Sequence, residues 1–436
     1  MDEPTGAADR GILRNRAFLA LWAAQILSQV AANATTFALI VLVGELTKSN
    51  TSSSILILLA ILPAVVFGVF AGVVVDRTDR KRVLVVTNAL RAGAVLPLLA
   101  LGESVSAAYV VNFLVAAITV FFVPAEAATI PSIVRKRDLL VANSLFTFTF
   151  NGAFLVGFII LAPVVIALSG YQALFIVVAS MFAGAALLCL TVPSVAPVTA
   201  AGRIGVDVAG AAVAQTLGGV AEAFAYLRAH PPVVWSLVYI ALTYMLVAVA
   251  GALAPGFVRE VLGLGEKNVV VLVAPAGLGV VAGLGALNVI GGRLAPQRAI
   301  ATGLLVTAAA LVILAAERPL AALFRGATGP TAGFPFFVAL VSLTAFVFGI
   351  SYALITVPSM TRLQSDLHDQ IRGRIFGVLN MLVSVFSFAP LLLVGPVADA
   401  YGVAPVFAGG AVACLIAWVG GRATRRQPRV ESASGM

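Results

Sequence analysis

Twelve apolar runs, each about as long as a lipid bilayer is thick, set what this chain can fold into. They fall at 18–43, 54–75, 83–101, 107–129, 140–168 and 171–192, then at 233–254, 268–290, 299–316, 335–358, 375–397 and 403–420. A helix needs roughly 20 apolar residues to cross the hydrocarbon core. Of the 436 residues, 61% are hydrophobic and 10% charged, whereas an ordinary soluble domain is about 25% charged. A soluble fold could not cover that apolar surface, which excludes soluble enzymes, secreted disulfide scaffolds and nucleic-acid binders. The expected fold class is an all-α integral membrane protein with 12 transmembrane helices in two six-helix bundles.

The remaining composition agrees. Cys189 and Cys414 both lie inside apolar runs, so neither a disulfide framework nor a cysteine metal site is expected. Asp2, Glu3 and Asp9 precede a first run too long for a signal h-region, so no cleavable signal peptide is expected. The polar stretch between the sixth and seventh runs divides the chain into an N-terminal bundle (1–192), a cytoplasmic linker (193–231), a C-terminal bundle (232–420) and a basic tail (421–436). Within the linker, Glu222–Arg228 reads either as an amphipathic surface helix or as plain connection.

Orientation follows from the net charge of +9 and its placement. With both termini cytoplasmic, the inner segments hold most of the 27 Lys and Arg, including Arg77, Arg80, Lys81, Arg82, Arg135, Lys136, Arg137, Arg422, Arg425 and Arg426. The outer segments hold only Lys48, Arg259, Lys267, Arg318 and Arg325. This is a positive-inside pattern, and it makes the basic charge a matter of topology and anionic lipid rather than of nucleic acid.

The most specific motif follows the second run: Gly72-Val-Val-Val-Asp76-Arg77-Thr78-Asp79-Arg80-Lys81-Arg82, with Gly68 one helical turn earlier. It resembles the signature loop of the major facilitator superfamily, Gly-x-Leu-Ala-Asp-Arg-x-Gly-Arg-Lys, with Asp79 standing where that family most often has glycine. The resemblance implies a conformational switch in which Gly68 and Gly72 permit close helix approach while Asp76, Arg77, Arg80 and Lys81 form and break charge contacts. Further segments follow in order along the chain: Phe18-Leu-Ala-Leu-Trp22, Pro124-Ala-Glu126-Ala-Ala-Thr-Ile-Pro131, Leu140-Val-Ala-Asn143, Tyr226-Leu-Arg-Ala-His230-Pro231 and Arg372-Gly373-Arg374. Together they look like the branch of bacterial macrolide and tetracycline exporters and the enterobactin exporter. Departures from that branch are Ala31 and Ala32 in place of Gly-Asp, Glu126 in place of arginine, and an antiporter motif reduced to Gly152, Gly157 and Pro163.

The resemblance implies a major facilitator fold whose first, fourth, seventh and tenth helices line a central path. Polar and aromatic residues, with one glycine, recur at helical spacing on those four helices: Gln25, Gln29, Asn33 and Thr36; Asn112, Thr119 and Glu126; Trp235, Tyr239 and Thr243; and Ser342, Phe346, Gly349, Tyr352 and Thr356. The expected substrate cavity comprises Gln25, Gln29, Asn33, Asn112, Thr119, Tyr239, Thr243, Phe346 and Tyr352. Ordinary helix–helix hydrogen bonding would use the same residue types.

Ionisable groups inside the spans are the coupling candidates, because a charge in the membrane needs a partner and a purpose. Glu126 is read as a protonation or substrate-cation site, or else as an interfacial acid paired with Arg135, Arg137 or Arg77. Arg91 is read as a structural pair or as snorkelling inward. Glu45, Glu103 and Asp399 are placed at outer helix ends.

Gly277-Leu-Gly279-Val-Val-Ala-Gly283 misses the dinucleotide spacing and is read as a helix-packing run, and the chain has no phosphate-binding Gly-x4-Gly-Lys-Ser/Thr sequence. No paired midplane His, Asp or Glu suggests intramembrane catalysis, so no catalytic residue, cofactor or metal is expected. The expected function is a secondary active transporter of the bacterial plasma membrane, exporting a small hydrophobic or amphipathic compound, drug- or siderophore-like, by alternating access. Proton antiport and a multidrug-resistance role come from the resemblance. The alternative is a lipid or lysophospholipid translocator on the same fold. The expected partners are the substrate, membrane lipids and protons, with the monomer as the working unit.

Overall fold

The structure, a computed structural model of the chain, describes residues 12–101, 104–194, 226–290, 295–366 and 388–423. Among these residues it is helical, and its helices follow the apolar runs. They are α1 (Arg16–Thr47), α2 (Asn50–Arg77), α3 (Arg80–Val95, extended by Pro97–Leu101), α4 (Val105–Ile133), α5 (139–169) and α6 (171–190). After the linker come α7 (Pro231–Glu260), α8 (Val270–Ile290), α9 (Pro296–Ala315), α10 (Glu317–Asp366), α11 (Phe388–Tyr401) and α12 (Ala404–Ala423). Among the described residues ten stretches are long and apolar enough to cross a membrane, and one of them, Lys136–Leu190, is 55 residues long. At 1.5 Å per residue that is about 80 Å, far beyond a bilayer. The chain divides it at Gly170, whose φ of +79° is open to glycine at little cost, giving the α5–α6 pair. The α11 run begins at 375 by sequence, but its first part lies outside the described residues. So do 195–225, with most of the Glu222–Arg228 segment, the Arg372–Gly377 motif, and the tail after Ala423.

Local signals start and stop the helices. Asn15 caps α1 by accepting from the backbone N–H groups of Ala17 and Phe18, and its Nδ2 donates to the Ile133 carbonyl at 2.7 Å, tying α1 to the end of α4. Asp79 caps α3 by accepting from Lys81 N at 2.9 Å, and its other oxygen accepts from the Ser194 hydroxyl beyond α6. The residue that departs from the family loop therefore has a structural task, the ordinary one of an N-cap aspartate.

The contacts divide the chain into two compact units: Met1–Lys48 with Ile55–Thr216, and Ser49–Ser54 with Leu217–Met436. In the first, α1 packs on α5 and α6, and α3 packs on α4 and α6. Its core includes Phe18, Leu21, Leu84, Phe122, Ala125, Phe146 and Cys189. Gly157 is required by this packing, since a Cβ there would lie 2.4 Å from the Val30 carbonyl oxygen. It sits in a π-helical stretch, Leu155–Leu161, that leads into Pro163, a residue that cannot donate to the helix ladder.

In the second unit α7, α8 and α9 pack on α10, and α12 packs on α9 and α7. Gly279 and Gly283 let α8 approach the α10 backbone, and Gly349 does the same from α10: added Cβ atoms would fall 2.0 Å from Phe346 O, 3.0 Å from Ile350 O and 1.9 Å from Ala276 O. In lipid there is little hydrophobic drive between helices, so such backbone proximity supplies the cohesion. The Thr307 hydroxyl donates to Ser351 at 2.8 Å between α9 and α10. Asp399, near the end of α11, accepts from the backbone N–H groups of Asn50 at 2.7 Å and Thr51 at 3.0 Å and from the hydroxyls of Ser49 and Thr51. Partial burial by itself would raise its pKa, but these bonds outweigh it and hold the carboxyl down at about 2.

Candidate functional site

The strongest candidate in the first unit is a buried charge cluster between α3, α4 and α6. Arg91 is 1% exposed. Its guanidinium carbon lies 4.3 Å from the Phe122 ring centre and 5.0 Å from that of Phe182, and its Nη2 donates to Asn88 Oδ1 at 2.9 Å. The cation is thus held between two aromatic faces rather than snorkelling to the interface. Glu126 is 7% exposed, and its Oε1 has no hydrogen-bond partner among the described residues. Arg91 is the opposite charge that acts on it. Of the two sequence readings of Glu126, the interfacial pairing with Arg135, Arg137 or Arg77 is not what the structure shows. On the far side of the cluster, Asn88 Nδ2 lies 3.8 Å from the Cys189 sulfur.

The switch loop is anchored to this same region. Arg80 Nη1 donates to the carbonyl of Ala128 at 2.8 Å, two residues past Glu126 on α4. Arg77 Nη1 and Arg80 Nε are buried with no partner among the described residues. Asp76 is exposed near the end of α2. A Cβ at Gly68 or Gly72 would meet nothing within 4 Å among the described residues.

The polar residues expected in the cavity have mixed placements. Asn112 Nδ2 donates to the Leu56 carbonyl at 2.7 Å and pins α4 to α2. Thr119 bonds back to Val115 O, and Asn33 to Gln29 O. Gln25 donates to Phe146 O at 3.3 Å, while its Oε1, like the hydroxyl of Ser28 one turn on, is buried without a partner among the described residues. Gln29 is buried. Asn33 and Thr119 are half-buried.

In the second unit, Tyr239 and Thr243 are buried. The face of α7 that carries Trp235 and Tyr239 lies on the Gly420–Gly421 pair of α12: a Cβ at Gly421 would fall 1.6 Å from Tyr239 Oη, and one at Gly420 would fall 2.2 Å from the Trp235 ring. The tyrosine that α7 leaves open is Tyr244, 39% exposed, whose ring meets Tyr352 of α10 edge-on at 6.3 Å. Sequence periodicity counted from Trp235 selected the other face. Phe346 and Tyr352 are half-buried. Ser342 donates to Val271 O and Gly349 packs on Ala276, so this edge of α10 serves α8. Tyr352 shares a face with Thr356 and with Ser359, whose hydroxyl is buried without a partner among the described residues. Ser359 was missed because a lone serine in an apolar run carries no pattern.

A group of three or more His, Cys, Asp or Glu side chains able to hold a metal is absent among the described residues. Comparison with known proteins places these features in context. The chain is 33% identical to macrolide efflux protein A of Streptococcus pyogenes over 126 residues, a stretch that covers 28% of this chain and 31% of that protein. Its fold is similar to that of the nucleoside transporter NupG, with a TM-score of 0.69 at 14% identity over 94% of this chain and 99% of that one. It is also similar to a bacterial homolog of the human lysosomal transporter Spinster in an inward-facing, unoccupied conformation, with a TM-score of 0.67 at 14% identity over 94% and 97% of the two chains. A family model, Major Facilitator Superfamily, matches residues 21–391. On that match and its helical membrane fold, the chain belongs to the Major Facilitator Superfamily.

Proposed function

We propose that this protein is a secondary active exporter of a small hydrophobic or amphipathic compound, working by alternating access in a bacterial plasma membrane with both termini cytoplasmic. The observation that carries the reading is Glu126: a carboxylate buried inside a six-helix bundle, with one oxygen unpartnered among the described residues and Arg91 as its opposing charge. Such a group has two states that differ by one charge, one facing Arg91 ionised and one having taken up a proton. Interconversion between them gives a proton gradient a handle on the bundle. Arg80, bonded to Ala128 just beyond Glu126, would pass that change to the switch loop around Asp76, Arg77 and Lys81.

Outward transport of a greasy cargo is supported by the partial similarity to a macrolide efflux protein. The cavity residues proposed are neutral or aromatic: Gln25, Gln29, Asn33, Asn112, Thr119, Tyr239, Thr243, Phe346 and Tyr352, joined by Tyr244. An anionic cargo would instead call for several basic residues among them.

The test is uptake of a chemically diverse compound panel into inside-out vesicles, with and without an imposed pH gradient, comparing wild type with Glu126→Gln. Gradient-driven accumulation of hydrophobic cations or neutral drugs that is lost in Glu126→Gln is the expected result. Unchanged gradient-driven transport in that variant would remove Glu126 from the mechanism. Accumulation of phospholipid analogues alone would make the protein a lipid translocator.

A further inference from the structure

The second unit contains a groove of about 440 Å³ between α7, α11 and α12, whose lining among the described residues is apolar side chains and glycine, including Leu246, Val249, Leu393, Val397, Val406 and Gly409. It follows α12 from Pro405 to Ala413, which at 1.5 Å per residue is about 12 Å. Two adjacent glycines shape it. Gly410 brings the α12 backbone onto its neighbours, since a Cβ there would lie 3.1 Å from Leu246 and 3.2 Å from Leu311. Gly409 is exposed, and a Cβ there would meet nothing within 4 Å. α7 and α12 are long and apolar enough to cross a membrane, and α11 is a shorter apolar helix between them in the groove wall.

One end of the groove carries a charge. The turn joining α11 to α12 passes through Gly402, three residues before Pro405, and Arg318 Nη2 lies 3.4 Å from where a Gly402 Cβ would sit. Arg318 is exposed. Of the acids nearby, Glu317 is buried and attracts Arg318 by its charge, Glu260 bonds to Arg259 and Asn50, and the Asp399 carboxylate is taken up by Ser49, Asn50 and Thr51. Tyr401, 74% exposed beside the same turn, is a residue type that favours headgroup depth. We propose that the groove holds one acyl chain of an anionic membrane phospholipid, with its phosphate at Arg318. A narrow apolar slot with a cation at its mouth complements that chemistry: the slot offers a polar ligand no hydrogen bond, and the cation attracts an anionic headgroup.

The experiment uses the full chain in phosphatidylcholine vesicles doped with phosphatidylglycerol that bears a diazirine in its acyl chain, followed by photolysis and peptide mapping. Adducts should concentrate on 245–249 and 389–413. Gly409→Leu, which fills open space, should lower them there at least ten-fold, and Arg318→Gln at least three-fold. Labelling of the other helices serves as the internal reference for folding and should not change in either variant. Labelling spread evenly over all helices, labelling at the groove that survives Gly409→Leu, indifference to Arg318→Gln, or protein–protein crosslinks at Gly409 would each overturn the proposal. None of these readouts depends on transport.

Discussion

Arg80, the first residue of α3, donates from Nη1 to the carbonyl oxygen of Ala128 in α4 at 2.8 Å, which makes a loop arginine a brace between two helices. A charge-assisted bond to a carbonyl is worth more than a neutral one, about 1.5–3 kcal/mol when its partners are shielded from water. Arg80 is half-buried, so Arg80→Gln should cost about 1–2 kcal/mol. Its thermal unfolding in detergent should fall below wild type, and gradient-driven transport should fall with it. Arg80→Lys should recover only part of either readout, because an ammonium cannot reproduce the guanidinium fork. Equal stability of Arg80→Gln and wild type would show that the loop does not depend on this brace.

Gly157 and Gly152 provide a paired test of packing. The Gly157→Ala methyl would fall 2.4 Å from Val30 O and 3.0 Å from Asn33 Cβ, and α1 would have to shift. Overpacking of this kind costs about 1–3 kcal/mol. Gly152 has nothing within 4 Å, so Gly152→Ala should be neutral or slightly stabilising through the unfolded chain. Unfolding midpoints of the two variants under one detergent condition decide the matter, and a similar loss in both would contradict the packing described.

Glu317 lies outside the apolar span of α10, and burial pushes its carboxyl up to about 7. Arg318 pulls the other way and Glu260 adds to the rise. For an acid raised in the folded state, folding is favoured at low pH, where the group is protonated in both states. That advantage declines as pH climbs from the unfolded value towards the folded one. Glu317→Gln should therefore match wild type near pH 4.5, gain on it through the window up to about 7, and hold a constant advantage above. A stability difference that is flat with pH would show that the carboxyl titrates normally.

Asp399 is the opposite case, a carboxyl held down at about 2 by the groups it accepts from. Its contribution is present above the ordinary carboxylate range and disappears only as pH falls through the folded value. Asp399→Ala should lower stability by about 0.5–1 kcal/mol, the scale of a lost helix cap, by the same amount at pH 5 and pH 8. A loss that appears only near neutral pH would point to a different partner.

Twelve apolar runs separated by charged turns are sufficient to specify spanning helices, because the bilayer core dictates their length and leaves the backbone no other way to satisfy its bonds. The Gly279–Gly283 run was legible as helix packing for a related reason: small residues at one-turn spacing have little other use in a membrane helix. The capping role of Asp79 was written in its place before a helix, although comparison with the family loop drew attention to the missing glycine instead.

The faces of those helices were decided by tertiary structure alone. A helix that is apolar all round has no amphipathic period to show which side meets a neighbour, so polar spacing from Trp235 selected Tyr239 for the cavity and passed over Tyr244. The glycine pair of α12, about 180 residues away in sequence, lies on Tyr239, while Tyr244 is exposed and meets Tyr352. Likewise, no local pattern connects Arg91 with Glu126 or sets the guanidinium between Phe122 and Phe182. Sequence determined that charge enters the membrane at two positions. Packing of α3, α4 and α6 decided that these charges face one another, because in a medium without water a buried charge is tolerated where the fold brings its partner to it.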